Sequence, residues 1–318
     1  MRSKIFTIAM ALMVCAGELF AAKVKIGDLY YNLNDAHKTA SVTYQVEPSD
    51  TPSGNYAGLK NVVIPTSVKN GGKNYNVVSV AESAFEQSAS IISVVIPEGV
   101  KSIEKRAFCS CPNLVSISLP NGLTSIGKDV FNGSKSLESI EIPNSVTSIG
   151  SDAFNGCKGL LSANIPSSVQ TLGSNIFEGC TQLTIYLNSS SIVATDYKSS
   201  AGLVAIFGSQ VKEYILGDDI TRIGNHAFYD CIGLSKITIG ANVEEIGNYA
   251  FENCKNIDVI IVNAKTAPTI TKKTFKNMGN KAYVYIYVPE GRDRAYKRDQ
   301  FWGEFDIYVQ GQEPQEEK

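Results

Sequence analysis

The stretch AFCSCPNLVSISLPNGLTSIG, residues 107–127, and its near-copy AFNGCKGLLSANIPSSVQTLG, residues 153–173, decide the fold of this chain. Both follow the pattern A-F-x-x-C-x-x-L-x-x-I-x-I-P-x-x-V-x-x-I-G, which recurs mainly with a 23-residue period. Its phenylalanines are Phe85, Phe108, Phe131, Phe154, Phe177, Phe228, Phe251 and finally Phe275. A fixed period of this length predicts a solenoid, in which each unit buries its apolar side against its neighbours.

Each unit contains the signals of one short strand and one tight turn. Alternating residues such as those of Ser116–Pro120 predict a strand with one buried face, and the proline ends it. The Ala-Phe segment is too short for a full helix and predicts a single helical or 3₁₀ turn. Counting from residues 62–64 to residues 260–262, we expect nine repeat strands.

The largest departure from the regular step lies between Phe177 and Phe228. Phe177 and Phe228 lie 51 residues apart, which is two periods plus five. Residues 211–217 restore the strand pattern, so we expect a degenerate unit there, with Ala205 in the position of the phenylalanine. The stretch 184–210 is therefore expected to be irregular.

The repeats resemble the BspA-like leucine-rich repeats of bacterial secreted and cell-surface proteins. The resemblance extends to YYNLNDAHKTASVTYQV at residues 30–46 and to YIYVPEGRDRAYKRDQFWGEF at residues 285–305. It implies a right-handed leucine-rich-repeat solenoid with a parallel β-sheet on one face, short helical or 3₁₀ turns on the other, and β-rich N- and C-terminal caps. It also implies adhesion to host matrix proteins and cells.

These signals divide the chain into five segments. We expect a signal peptide at 1–22, an N-terminal β-hairpin cap at 23–60, a solenoid of about nine units at 61–265, a C-terminal cap at 266–310 and a polar tail at 311–318.

The N-terminus MRSKIFTIAMALMVCAGELFAAKV has the layout of a secretory signal peptide. Arg2 and Lys4 precede a short apolar run, and the small residues Ala21 and Ala22 follow it. We expect export, to the medium or to the cell surface and outer envelope, with cleavage after Ala21 or Ala22. A lipid-modified Cys15 is the less favoured alternative, because the bulky Val14 stands where a lipoprotein signal has a small residue. No later segment is long and apolar enough to predict a transmembrane helix.

Composition excludes several classes of protein. The net charge of −2 lacks the basic footprint of a nucleic-acid binder. The chain has only two histidines, His37 and His226, and no phosphate-binding glycine loop or zinc-ligand spacing, so we expect no metal, no cofactor and no catalytic residues. His226 occupies a position that varies freely among the units, which predicts a surface side chain.

The cysteines follow the repeat. Cys111, Cys157, Cys180, Cys231 and Cys254 all stand three residues after a phenylalanine, and serine fills that position in other units. This exchange predicts small buried side chains with free thiols. Cys109 lies outside the register and is expected to be exposed.

The residues between the inward Ile and Leu of each strand are candidates for a binding face. They are Ser116, Ser118, Ser139, Glu141, Ser162, Asn164, Tyr186, Glu213 and Lys236. We expect this face to bind a macromolecular partner, a host matrix or cell-surface protein. A glycan-binding protein or an envelope scaffold is the alternative, for which clustered exposed aromatic residues would be the signal. The eight Lys and Arg residues of 272–298 are interpreted as a solvated cap surface, and a patch for an anionic partner is the other interpretation.

Overall fold

The computed structural model describes residues 23–45, 56–198 and 202–312 of the chain. The predicted signal peptide, its cleavage site and Cys15 lie outside the described residues, as does most of the predicted polar tail.

Most of the regular structure is short β-strand. The strands are β1 (Val24–Ile26), β2 (Leu29–Asn34), β3 (Thr39–Thr43), β4 (Asn61–Val63), β5 (Ser67–Asn70), β6 (Lys73–Val80), β7 (Ser93–Val95), β8 (Ser102–Ile103), β9 (Ser116–Ser118), β10 (Ser125–Ile126), β11 (Ser139–Ile140), β12 (Ser148–Ile149), β13 (Ser162–Ile165), β14 (Thr171–Leu172), β15 (Thr184–Leu187), β16 (Glu213–Leu216), β17 (Arg222–Ile223), β18 (Lys236–Ile239), β19 (Glu245–Ile246), β20 (Val259–Val262), β21 (Tyr285–Val288) and β22 (Asp306–Val309).

Helices are few and short. They are α1 (Ser190–Val193), α2 (Leu203–Phe207) and α3 (Asp293–Arg298), with 3₁₀ segments at Lys281–Tyr283 and Trp302–Glu304. The chain is thus a parallel β-solenoid, as the repeat predicts.

Each regular unit contributes two strands, one to each of two strand lines. The first strand line contains β4, β7, β9, β11, β13, β15, β16, β18 and β20, which are the nine predicted repeat strands, and β21 and β22 extend it in parallel. The second strand line, which the sequence pattern did not reveal, contains β6, β8, β10, β12 and β14, then β17 and β19. The strands of this line after β6 are only two residues long, because a glycine directly follows most of them and ends the strand.

A stack of aromatic rings runs through the interior. From Phe85 to Phe177 the repeat phenylalanines are almost fully buried, and neighbouring ring centroids lie 5.0 to 5.6 Å apart with nearly parallel planes. The stack resumes from Phe228 through Phe251 to Phe275 at 5.1 and 5.2 Å. The repeat step therefore becomes one spine of contacts through the solenoid.

The Ala-Phe segments form tight turns that join neighbouring units. The backbone N–H of Phe108 donates to Val130 O at 2.9 Å, while the N–H of Cys109 donates back to Arg106 O at 3.0 Å. Arg106 and Asp129, two residues before their phenylalanines, adopt left-handed φ values of 59° and 56°. These turns alternate hydrogen bonds within a unit and between units, which stabilises the stack on the side where it has no sheet.

The remodelled unit contradicts one detail of the sequence interpretation. Phe207, the last residue of α2, occupies the aromatic spine 6.1 Å from Phe177, while Ala205 lies in the middle of that helix. Tyr214 then bridges to Phe228 at 5.1 Å. The inserted residues form α2 instead of the usual turn, and this helix shifts the aromatic side chain by two positions along the chain.

Both ends of the solenoid are closed by additional strands. At the N-terminal end β1, β2 and β3 form an antiparallel meander, and β3 pairs in parallel with β6 of the second strand line. At the C-terminal end Trp302 is fully buried, and its Nε1 donates to Pro268 O at 2.8 Å. Tyr296 of α3 is buried as well and donates to Ala264 O at 2.8 Å. Trp302 packs against Phe275, so the last ring of the spine is covered.

Candidate binding face

The first strand line presents two rows of outward side chains. The first outward row contains Asn61, Ser93, Ser116, Ser139, Ser162, Thr184, Glu213, Lys236, Val259, Tyr285 and Asp306. The second outward row contains Val63, Val95, Ser118, Glu141, Asn164, Tyr186, Ile215, Thr238, Ile261, Tyr287 and Tyr308. Glu141, which directly follows β11, is placed in the second row by the repeat step from Ser118. The side chains between these rows point into the core.

All nine predicted face residues lie on these two rows. Ser116, Ser118, Ser139 and Glu141 are exposed, and Tyr186 keeps 44% of its surface accessible. Ser162, Asn164, Glu213 and Lys236 are partly exposed. The structure thus brings the predicted residues together, while their role in binding stays a prediction.

The side chains in the middle of the face are polar and make only a few hydrogen bonds and ion pairs with one another. Asn188 Nδ2 donates to Asn164 Oδ1 at 2.8 Å, and Glu213 pairs with Lys236 at 2.9 Å across β16 and β18. Surface ion pairs of this kind contribute little to stability. These groups therefore remain available to exchange their partners for those of a ligand.

The C-terminal part of the face carries a tyrosine cluster that sequence reasoning missed. Tyr285, Tyr287 and Tyr308 all point outward from β21 and β22, and they are partly exposed. The ring of Tyr308 lies 5.7 Å from Tyr285 and 5.8 Å from Tyr287. The sequence interpretation placed residues 283–288 in the C-terminal cap. Because the step from Ile261 to Tyr287 is longer than the repeat period, that period could not align β21 with the repeat strands.

Two predictions about exposure are wrong. Cys109 is only 5% exposed, since its turn packs beside Arg106 and Ser110. His226 is partly buried, and its ring stacks on Tyr249 at 5.0 Å with an angle of 17° between the planes. Stacked units place equivalent turn residues directly above one another, so a variable position is not necessarily a solvated one.

The cysteines are buried free thiols throughout the described residues. Cys157 Sγ donates to Phe131 O at 3.2 Å, and Ser134 Oγ makes the equivalent bond to Phe108 O at 2.9 Å. This shared bond explains why the position accepts either residue. Burial raises the pKa of the Cys111 thiol to about 12, so this thiol is neutral at physiological pH.

The basic C-terminal stretch is partly neutralised by acidic neighbours. Lys276 pairs with Glu252 at 3.2 Å, Lys281 pairs with Glu304, and Lys297 pairs with Asp293 at 3.7 Å. The ammonium groups of Lys273 and Lys276 also lie 5.6 and 5.3 Å from the ring centre of Tyr249. These contacts favour the interpretation of this stretch as a solvated cap surface.

Within the ranges that the structure describes, no group of His, Cys, Asp and Glu side chains is arranged to hold a metal ion. The helices of the same ranges are all too short to cross a bilayer.

The repeat geometry has a match among known protein families. A model of the BspA type leucine rich repeat region, present in six copies, matches residues 78–199 and 205–291, which is more than half of the chain. The chain belongs to this family. The matched residues run from the end of β6 to just past β21, with a gap at 200–204 inside the remodelled unit. Leucine-rich repeat solenoids are typically non-enzymatic scaffolds for protein interactions, and no feature of the described residues indicates catalysis.

Several solved structures are similar. The leucine rich repeat protein of T. pallidum is 23% identical with a TM-score of 0.48, over 74% of this chain and 91% of that one. A leucine-rich repeat protein from Bacteroides ovatus is 20% identical with a TM-score of 0.43, over 90% and 99%. The pneumococcal vaccine antigen PcpA is 17% identical with a TM-score of 0.42, over 91% and 98%. No curated protein matches the chain.

Proposed function

We propose that this BspA-type protein is an exported, non-catalytic recognition protein. Its partner is a macromolecule met outside the cell, a host matrix or cell-surface protein, and its binding surface is the outward face of the first strand line. The observation that carries the proposal is the pair of outward rows, which present polar and aromatic side chains on parallel strands, eight of which form one sheet from β11 to β22.

The scaffold supports binding for an energetic reason. Each outward side chain from β13 to β21 stands on a strand that is bonded to neighbours on both sides, and the interior beneath the face is filled by apolar ladders such as Ile140, Ala163 and Ile185. Little backbone freedom remains to be lost when a partner docks, so ordering costs offset little of the contact energy.

Export supports the same proposal, because it places the protein where it can meet such partners. Residues 1–22 carry the signal-peptide layout, and intact-mass measurement of the secreted protein tests it. We expect a mature chain that begins at Ala22 or Lys23. A mature chain that begins at a lipid-modified Cys15 would assign the protein to the lipoproteins instead.

The experiment that tests binding is a screen of the purified protein against fibronectin, fibrinogen, laminin, collagen, host-cell surfaces and a glycan array. A protein ligand should bind saturably, and the double variant Tyr186→Ala/Glu141→Lys should lose that binding. Thr171→Ala is the matched control, because Thr171 is exposed on the second strand line. Loss of binding in the control alone would move the site off the proposed face.

A glycan ligand is the second candidate function. The tyrosine cluster is the kind of aromatic signal that this function requires, and it lies on the same face as the serine hydroxyls of the first outward row. Selective binding on the glycan array, without a protein ligand, would favour it.

A further inference from the structure

The outward rows change character along the solenoid. From Tyr186 onward the second outward row contains Ile215, Thr238, Ile261, Tyr287 and Tyr308, so six consecutive strands present no charged side chain there. Ahead of Tyr186 the same row contains the exposed Val63 and Val95, followed by the polar residues Ser118, Glu141 and Asn164. We call the six residues from Tyr186 to Tyr308 the apolar row.

The fold does not require this apolar row. Glu141 and Asn164 occupy equivalent positions on equivalent strands, so the geometry accepts charged and amide side chains there. A preference for strand formers would also be met by threonine, which stands in the row at Thr238. The exclusion of charge across six neighbouring strands therefore needs a reason outside the stability of the sheet.

The composition of the row matches the centre of a protein interface. Such centres are depleted of charge and enriched in tyrosine and other aromatic residues, and a few of these residues carry most of the binding energy. Tyrosine also adds contact area at a low entropy cost. The flanking Glu213–Lys236 pair and the exposed Asp306 lie in the neighbouring row and supply a polar rim.

The ring geometry distinguishes a protein from a sugar. The planes of Tyr285 and Tyr308 meet at 62°, and those of Tyr287 and Tyr308 at 36°. The apolar face of a pyranose chair stacks best on an open aromatic ring face, whereas these rings are tilted against one another. Tilted rings present edges as well as faces, which favours contact with apolar and aromatic side chains of another protein.

The area of the apolar row and its neighbours is compatible with the core of a protein interface. The five spacings of about 4.8 Å between six strands, and four residues at about 3.3 Å along each strand, give a patch of roughly 24 by 13 Å, or about 300 Å². A standard interface buries about 800 Å² on each partner. The apolar row with its immediate neighbours is therefore large enough for the core of such an interface, and the polar part of the face is left as its rim.

We propose that the apolar row is the energetic centre of the binding face, and that its partner is a protein whose contact surface is apolar, rich in aromatic side chains and uncharged at its centre. This inference rests on the proposed function and deepens it, because it moves the decisive contacts from the polar middle of the face to its C-terminal half.

The test compares two pairs of substitutions in the full chain. Ile261→Ser/Tyr287→Ser removes two members of the row, while Ser116→Ala/Ser139→Ala is the matched change in the polar half. Both pairs alter outward positions and leave inward residues such as Ile260 in place. The ligands are fibronectin, fibrinogen, laminin and collagen, each measured by surface plasmon resonance with the glycan array in parallel.

We expect the Ile261→Ser/Tyr287→Ser pair to weaken binding by at least about 30-fold, and the serine pair to change it by less than about 3-fold. Tyr287→Phe, which keeps the ring, should bind like the parent. Since the centre carries no charge, affinity should change little between about 50 and about 500 mM salt. If the double variant unfolds earlier than the parent in a thermal melt, the single change Tyr186→Ser gives the same comparison at an exposed edge of the row.

The outcomes separate the two proposals. Binding that survives the loss of Ile261 and Tyr287 but fails in the serine pair overturns the apolar row and leaves the proposed function standing. Binding that is abolished by salt also overturns it, because the contacts would then be ionic. Glycan binding that depends on Tyr287 overturns the choice of a protein partner. An absence of any protein ligand contradicts the proposed function itself.

Discussion

Phe154 lies in the middle of the aromatic spine. It is fully buried, and its ring centre is 5.2 Å from both Phe131 and Phe177. Neighbouring units hold all three rings in place, so the space left by a truncated side chain cannot be refilled. Phe154→Ala should lower the free energy of unfolding by about 3–5 kcal/mol.

Chemical denaturation measures this effect. Leu161→Ala is the control, because Leu161 is 60% exposed and should change stability by less than about 0.5 kcal/mol. A loss below about 1 kcal/mol for the Phe154 variant would contradict an interior ladder.

Tyr214 places a buried polar hydroxyl group in the same aromatic spine. It is fully buried between Phe207 and Phe228, and its hydroxyl has no hydrogen-bond partner within the described part of the chain. Burial raises its pKa well above the ordinary value for tyrosine. A buried polar group without a partner costs about 1–3 kcal/mol.

Removal of this hydroxyl should therefore stabilise the protein. Tyr214→Phe keeps the ring and deletes the oxygen, so we expect a gain of about 1 kcal/mol in denaturation experiments. Tyr296→Phe is the matched control, since it deletes a hydroxyl that donates to Ala264 O at 2.8 Å and should lose stability. Equal losses for the two variants would show that Tyr214 has a partner.

The closing glycine of each unit sets how tightly the units stack. A Cβ on Gly150 would lie 2.5 Å from Lys128 N and 2.6 Å from Gly127 C. Both are backbone atoms of the preceding turn of the solenoid, and they cannot move aside as a side chain can. The column of glycines therefore permits a close approach of one unit to the next.

Gly150→Ala should cost about 2 kcal/mol or more, because the new methyl group must push two units apart. Gly122→Ala is the control within the same repeat pattern. A Cβ there would meet only the flexible end of Lys101, so we expect a change of less than about 0.5 kcal/mol. The two midpoints of thermal unfolding, measured side by side, decide the point.

The stability of the whole molecule should depend on pH through its buried thiols. Burial raises the pKa of Cys111 and Cys180 to about 12 and also raises the pKa of Cys157. The pKa of Cys231 is raised by a hydrogen bond with Cys254 and by burial. In the unfolded chain a thiol ionises near about pH 8.5. Above that pH the unfolded state releases protons that the native state retains, so stability is complete below about pH 8.5 and falls as the pH rises towards about 12.

Urea unfolding at about pH 7 and about pH 10 should show a loss on the order of 1–2 kcal/mol for each fully buried thiol. Cys157→Ser/Cys180→Ser should reduce that loss, and serine is tolerated because Ser134 already occupies the equivalent position. Thiol titration of the unfolded, unreduced protein should find six free thiols in a chain that has lost Cys15. A stability that is unchanged up to about pH 10 would mean that the thiols are not buried.

The two strand lines differ in continuity across the molecule. The first strand line continues through the irregular stretch, since β15 pairs directly with β16. The second stops at β14 and resumes as the pair of β17 and β19. The inserted residues are therefore accommodated on one side only, and the face proposed for binding remains unbroken there.

The repeat pattern was enough to predict the solenoid, its nine repeat strands, its phenylalanine spine and its buried thiols. These features repeat at one step, and each unit places the same residues inward for the same local reason: alternation in the strand, proline at its end and glycine at the bend. Cys157 and Phe154 could be assigned to the interior without any knowledge of distant contacts.

Other positions could be assigned only from the folded structure, because the repeat period is interrupted there or because neighbouring turns stack on them. Phe207 instead of Ala205 completes the spine because α2 turns the chain, and Tyr287 joins Ile261 on the face although the step between them exceeds the repeat period. Cys109 and His226 are covered by neighbouring turns. Register and burial at these positions depend on which strands pair and which turns stack across units, and an insertion of a few residues alters that pairing without leaving a periodic signal in the sequence.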